Sequence, residues 1–339
     1  MKTKVFVRTD VLEETKFSEM DILLNQSGFW NDIEKTCAKK NQQKSSCKVV
    51  IKPNISIASQ KALKSYTDPT LVDHLLSELE SRGYENVVIV ESENMYAIGF
   101  PEHTPDKVGK NLGYIHPVIN LTEEPVECFD NENPKTHICL SRRLLDADYI
   151  INFPKGRNHC IYKITGAMKN MFGSIPIREK IYQFHNKESG FDVPHAIKFV
   201  YEKTPPDFTI MDWIISIDGE DEHFSKEALS YSKDIGKLIA SKDAIAIDTY
   251  LQEKMGYKPF ESEITKQFEN DNEIEIIGDN IIKIPDWKKV PWHTRAGYKT
   301  LFKIMDITKK YPPAEVYMKK VLRKQVLMDV IESVDSDKE

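Results

Sequence analysis

Seven basic residues, Lys155, Arg157, Lys163, Lys169, Arg178, Lys180 and Lys187, fall between Ile151 and Lys187 with one acidic residue, Glu179, among them. The whole 339-residue chain has a net charge of −6, so this is a local reversal of sign. Such an excess suits a small anion, held by Lys and Arg while His or Lys moves a proton. A solvated basic face is the plainer reading of any lysine run. Here the cations alternate with Gly156, Gly166, Gly173, Asn158, Asn170 and His159, residues of tight backbone and directed hydrogen bonding. Crowding by other cations depresses a lysine's pKa, which would let Lys155 or Lys169 act as base or amine nucleophile.

The elements that must position these groups can be read from periodicity. Tyr149 to Phe153 is an apolar run of the buried-strand kind and ends at Pro154, so the polar residues after it sit at a strand's carboxyl end. Ile161, Ile164, Met168 and Met171 have helical spacing, which predicts an amphipathic helix with Thr165 and Lys169 one turn apart on another face. Upstream, a strand from Lys48 to Lys52 stops at Pro53, and in open α/β sheets ligands collect past such ends, which brings Lys52 and Asn54 into the candidate site. Thr67-Asp68-Pro69 reads as a helix start, with Asp68 as N-cap, Pro69 at N1, and Thr67 placed to contact an anion. Asn86 to Glu91 is a second parallel-type strand, with Glu91, Ser92 and Asn94 at its end. Asp212 stands in an apolar run and needs a partner if buried. Between Asp207 and Glu222 there are six carboxylates and no Lys or Arg, the complement of the basic stretch.

The run Pro154, Lys155, Arg157, His159, Thr165, Gly166, Lys169, Asn170, Phe172, Gly173 resembles the signature of the DUF362 family, a set of uncharacterised α/β proteins. Ile51-Lys52-Pro53-Asn54 and the stretch from Ser241 to Asp248 resemble its earlier and later elements, so the likeness covers roughly residues 45 to 256. Arg157 and Asn158 stand where the family more often shows Lys and Thr. A histidine after the K-N-x-x-G turn, here His185, also fits the pattern. Some similar proteins carry a ferredoxin module, but the five cysteines here, Cys37, Cys47, Cys128, Cys139 and Cys160, lack iron–sulfur or zinc spacing. Their odd number and scatter predict reduced, mostly structural thiols.

These readings combine into one expectation. The fold is a mostly parallel, twisted α/β sheet with helices on both faces over residues 1–285, followed by a helical C-terminal extension over residues 286–339 that covers the site or makes a homo-oligomer contact. Its βα units recur at Lys48 to Arg82, Asp148 to Gly173 and Lys237 to Gly256. The catalytic candidates are Lys155, His159, Lys169 and His185, and the substrate-binding candidates Lys52, Asn54, Thr67, Arg157, Thr165 and Asn170. The reaction expected is acid–base chemistry on a small carboxylate- or phosphate-bearing metabolite in a biosynthetic setting. The alternatives are a metal- or cofactor-dependent enzyme, with Glu91 or Asp212 among the ligands, and a non-catalytic anion-binding protein. No P-loop, no dinucleotide (NAD) fingerprint, no G-x-S-x-G and no H-E-x-x-H is present. No window approaches 18 apolar residues and no apolar leader is seen, so no membrane partner and a cytoplasmic setting are expected, and the acidic balance disfavours nucleic acid.

Overall fold

In a computed structural model the apolar runs become one eight-stranded sheet. The structure describes residues 2–55, 65–94, 103–130, 137–159, 161–177, 180, 193–217, 232–279, 281–293, 296 and 300. His185, Cys160 and most of the expected C-terminal extension lie outside the described residues.

The strands of the large sheet are β1 (Thr3–Arg8), β2 (Val49–Pro53), β3 (Val87–Glu91), β4 (Val118–Asn120), β7 (Tyr149–Phe153), β10 (Phe208–Ile217), β11 (Ser232–Ser241) and β12 (Ile274–Ile277). Their order is β12-β1-β11-β10-β7-β2-β3-β4. Only β11 runs antiparallel to its neighbours β1 and β10, so the sheet is mostly parallel. Two hairpins stand apart from it, β5 (Val126–Asp130) with β6 (His137–Ser141), and β8 (Arg157–His159) with β9 (Lys163–Thr165).

Side chains alternate along each strand, so each central strand feeds two cores. Val49, Ile51, Ile89, Tyr149 and Ile151 face helices α1 (Lys16–Gln26), α2 (Phe29–Lys39), α3 (Pro69–Ser81) and α4 (Pro105–Leu112) through Leu23, Phe29, Ile33, Leu75 and Val108. Val50, Val90, Ile150, Met211 and Ile239 belong to the other core. It also takes in a short helix, α5 (Arg142–Leu145), through Leu144, and α6 (Ala167–Met171), α7 (Val193–Lys203) and α8 (Ala244–Lys254) through Met168, Met171, Ile197, Ile247 and Leu251. Burying a Leu or Ile side chain is worth about 1.5–3 kcal/mol, so these two faces supply most of the sheet's stability.

Local chemistry explains most element boundaries. Asp68 caps α3, its Oδ1 accepting from Thr70 N at 2.9 Å, with Pro69 at the first helical position. Helices α1 and α2 are separate because Gly28 takes a left-handed φ of 74° between them. The expected helix from Ile161 is a turn, then strand β9, and only five residues of α6 before a 3-10 turn over Phe172–Ser174. The spacing of Ile161 and Ile164 with the two methionines was coincidental, and Thr165 pairs across the hairpin with Arg157. After α8 a short 3-10 turn forms over Thr265–Phe268.

The cysteine expectation is corrected outright: Cys37 bonds to Cys47 and Cys128 to Cys139. Cys128 and Cys139 are register partners in the β5–β6 hairpin, while Cys37 at the end of α2 is tied to Cys47 just before β2. Scatter in sequence conceals both pairings. Closing loops of this length stabilises by roughly 2–3 kcal/mol each in the chain-entropy account.

Candidate functional site at the strand ends

Two buried ion pairs lie where the parallel strands end. Lys52, the fourth residue of β2, is fully buried, and its Nζ donates to Glu91 Oε2 at 2.6 Å and to Pro53 O at 2.8 Å. Glu91, last in β3, also accepts from Ser92 N at 2.9 Å through Oε1 and from Ile55 N at 3.4 Å through Oε2. Burial pulls the Lys52 pKa below its ordinary value against the attraction of Glu91. Beyond β7, Lys155 Nζ donates to Asp212 Oδ2 at 2.8 Å, and Asp212 is held further by Asp68 N at 3.0 Å and Ile214 N at 3.1 Å. Asp212 thus has the partner its apolar setting demands, and it clamps β7, β10 and the start of α3 together.

The first pair carries more machinery than the second. Lys180 is buried, and its Nζ donates to Ser92 Oγ and, at 3.1 Å, to Glu93 O. It lies within electrostatic reach of Glu91, Lys52, Lys169 and Glu93, and its pKa is pushed down to about 7, chiefly by burial. Gly173 closes over this group. A Cβ there would stand 2.5 Å from Glu91 Oε1 and 2.6 Å from Lys52 Nζ, so only glycine permits the approach, and Gly173 O accepts from Ser92 N at 3.2 Å. A small gap lined by Ile55, Ser92, Glu93, Asn94 and His103, too tight for a water molecule, lies beside it. Asn54 Oδ1 and Ser174 Oγ, both buried, have no hydrogen-bond partner among the described residues.

Each expected site residue can now be placed. Asn170 Nδ2 donates to Lys52 O at 2.9 Å and Asn152 Oδ1 at 2.8 Å, so it fastens α6 across β2 and β7. Thr67 Oγ1 donates to Phe153 O at 2.7 Å and accepts from Asn54 N at 2.9 Å, which ties the loop before α3 to the same strand ends. Lys169, half-buried on α6, is the expected residue that joins Lys52 near Lys180. His159 Nδ1 accepts from Ile161 N at 3.0 Å and Tyr162 N at 3.2 Å within the β8–β9 hairpin, where buried Arg157 and Thr165 face each other in register. Asn158 reaches the chain's later part, donating to Lys288 O at 2.7 Å and accepting from Trp287 Nε1 at 3.2 Å. Sequence reasoning named Glu91 and Ser92 as strand-end residues but missed Lys180, which is marked only as one more cation of the basic run. Among the described residues no three of His, Cys, Asp or Glu gather closely enough to hold a metal ion.

The two acidic residues of the later element are structural. Asp243 caps α8, accepting from Ile245 N at 2.8 Å and Ala246 N at 3.1 Å. Ser241 Oγ donates to Lys4 O at 2.8 Å. Asp248 accepts from Ala167 N at 2.6 Å and Met168 N at 2.9 Å, which orients the start of α6, and a Cβ on Gly166 would collide with it. Burial raises its pKa to about 7, the Asp243 charge adding to this while the two amides oppose it. The folded state therefore prefers protonated Asp248, so its contribution is intact below about pH 4 and is lost as the pH rises to about 7. Urea unfolding across that range should show stability falling by a few kcal/mol, and Asp248→Asn should flatten that part of the slope. An unchanged slope in the variant would rule out Asp248 as its source.

The family's sequence profile, described as a domain of unknown function (DUF362), matches residues 49–253, from the start of β2 nearly to the end of α8. The chain belongs to the DUF362 family. The matched span contains the Lys52–Glu91 and Lys155–Asp212 pairs, Lys169, Lys180 and the Asp248 contact to α6. A thylakoid-associated protein of Synechocystis sp. is 25% identical over 264 residues, which covers 70% of this chain and 76% of that protein. No helix among the described residues is long and apolar enough to cross a membrane.

Proposed function

We propose that this DUF362 protein is an enzyme that binds a small carboxylate- or phosphate-bearing metabolite at the carboxyl ends of β2 and β3 and works on it by lysine acid–base chemistry. The observation that carries the reading is the gathering of Lys52, Lys169 and Glu91 within electrostatic reach of Lys180 at the strand ends. Lys52 is paired with Glu91, and Lys180 lies within electrostatic reach of Lys52, Lys169, Glu91 and Glu93, a lysine cluster of the kind that suits a small anion. Asn54 and Ser174 supply buried polar atoms that a polar ligand would satisfy. The place agrees with the general rule for open parallel sheets.

Lys155, His159 and Arg157 enter this proposal with reduced roles. Lys155 is committed to Asp212, and the His159 acceptor nitrogen is used by its own hairpin. Both oxygens of Glu91 and of Asp212 are occupied by ammonium or amide donors, which leaves the metal-dependent alternative without a specific observation in its favour. The two disulfides favour an oxidising setting over the cytoplasmic one expected.

Thermal unfolding in a panel of small mono- and dicarboxylates and phosphate esters, at matched ionic strength against chloride, tests the proposal. At least one class should raise Tm by several degrees in the wild-type chain, and Lys169→Met should remove the rise while leaving Tm without ligand nearly unchanged. A panel that shifts Tm no more than chloride does would overturn it.

A further inference from the structure

One edge of the large sheet, at β12, offers backbone groups beside a groove. Thr3 N donates to Glu273 O at 2.9 Å, and in a parallel ladder alternate residues turn both backbone groups to the same side, so Glu273, Glu275 and Ile277 face β1. Ile274 and Ile276 therefore turn their N–H and C=O outward, where β12 has no strand neighbour among the described residues. Their half-buried side chains line a groove of about 350 Å³ between β12 and α8. The helix side of that groove is Ile245, Thr249 and Glu253, one turn apart along α8. Among the described residues the lining holds three carboxylates, Asp243, Glu253 and Asp271, and no Lys or Arg. From Glu269 to Asp279 the chain carries five carboxylates and no Lys or Arg.

The strand already paired to β12 shows what its edge accepts. Lys4 is in register with Glu275, and Lys2 Nζ meets Glu273 at 2.9 Å, while Thr3 and Val5 are in register with Ile274 and Ile276. Cations thus lie beside the glutamates on one face, and small or apolar residues lie beside the isoleucines on the other. We propose that β12 takes up a further strand of the same pattern, an extended segment of a partner protein in which Lys or Arg alternates with apolar residues. Its backbone pairs with the outward groups of Ile274 and Ile276, and its apolar side chains fill the groove against Ile245 and Thr249. Its cations lie beside Glu273 and Glu275, both exposed. A second copy of β12 is a poor occupant, because pairing would set these glutamates against their own counterparts. In the sheet, β1, β11, β10 and β7 lie between this edge and β2, so the surface is independent of the strand-end anion site.

Fluorescence anisotropy with the full chain and a labelled peptide of about ten residues, Lys and Val in alternation, tests the proposal. Saturable binding in the micromolar range is expected, weaker by at least about tenfold for the Glu and Val counterpart and for the Lys and Val peptide with every backbone nitrogen methylated. Ile276→Pro removes an outward N–H that β1 does not use, so Tm should move by only a few degrees while the affinity falls by about tenfold. Glu253→Lys with Asp271→Lys, both at exposed positions, should also weaken binding. A methylated peptide that binds as well as its parent would show charge attraction without strand pairing and overturn the inference, whatever becomes of the proline variant. So would a Lys and Val peptide that does not saturate, or full affinity in the doubly charge-reversed chain. A wild-type chain that sediments as a dimer, and as a monomer with Ile276→Pro, would give the edge to a second copy and overturn the partner proposed.

Discussion

Asp212→Leu is expected to lower the free energy of unfolding by about 3–5 kcal/mol, because it strands a buried ammonium. Asp212 is fully buried and accepts from Lys155 Nζ, Asp68 N and Ile214 N, so one substitution removes three acceptor contacts. The loss reaches the start of α3, whose cap residue is Asp68. Asp212→Asn keeps an acceptor oxygen and should cost less. The double variant Asp212→Leu with Lys155→Met should recover much of the loss, since replacing a buried pair by apolar groups is often close to neutral. Urea unfolding of the wild type, Asp212→Leu, Lys155→Met and the double variant gives the coupling directly. A double variant as unstable as the sum of the singles would show that the pair does not act as a unit.

Lys52→Met is the second large effect, and it reaches further. It leaves Glu91 buried with two backbone amides and without its ammonium partner, again a cost of about 3–5 kcal/mol. Unlike the Asp212 change it also removes one of the three charges assigned to the anion, so ligand-induced stabilisation should vanish. Lys52→Met with Glu91→Gln should regain stability, because the buried charge is gone, but should not regain the response to anions. If the double variant still responds to them, Lys52 is a structural cation and the site lies elsewhere. Lys52→Arg is a poor rescue, because the space around Nζ is closed by Gly173.

Much of the frame was legible because apolar runs bounded by Pro or Gly leave little choice. The strands around Val49, Val87 and Tyr149, the Asp68-Pro69 helix start and the mostly parallel sheet all followed from local rules. The site was legible only as a set of strand ends. Which carboxylate meets Lys52 depends on a contact 39 residues away, and Lys155 finds Asp212 57 residues along, which no spacing rule encodes. Thr67 was a candidate because it stands beside a helix N-terminus and Asn170 because it stands in the basic run, and the hydrogen bonds seen for both go to strand-end groups. Lys180 was hidden for the opposite reason: its surroundings are set by burial and by Ser92, and burial of a single lysine in a basic run leaves no mark on the sequence. The paired cysteines were misread because their partners are fixed by strand register in one case and by the return of the chain from α2 to β2 in the other.

The most direct test of the central claim is native mass spectrometry of the chain as purified under gentle conditions, beside Lys169→Met. Lys169 is half-buried, and methionine keeps its apolar stem while removing its charge, so the fold should persist. The wild-type protein should carry an added mass of a small anion, released on denaturation and identifiable as a carboxylate or phosphate compound, and the variant should lack it. The same added mass on both proteins, or a wild-type chain that stays bare even after incubation with the anions of the thermal panel, would contradict an anion site built on Lys52, Lys169 and Lys180.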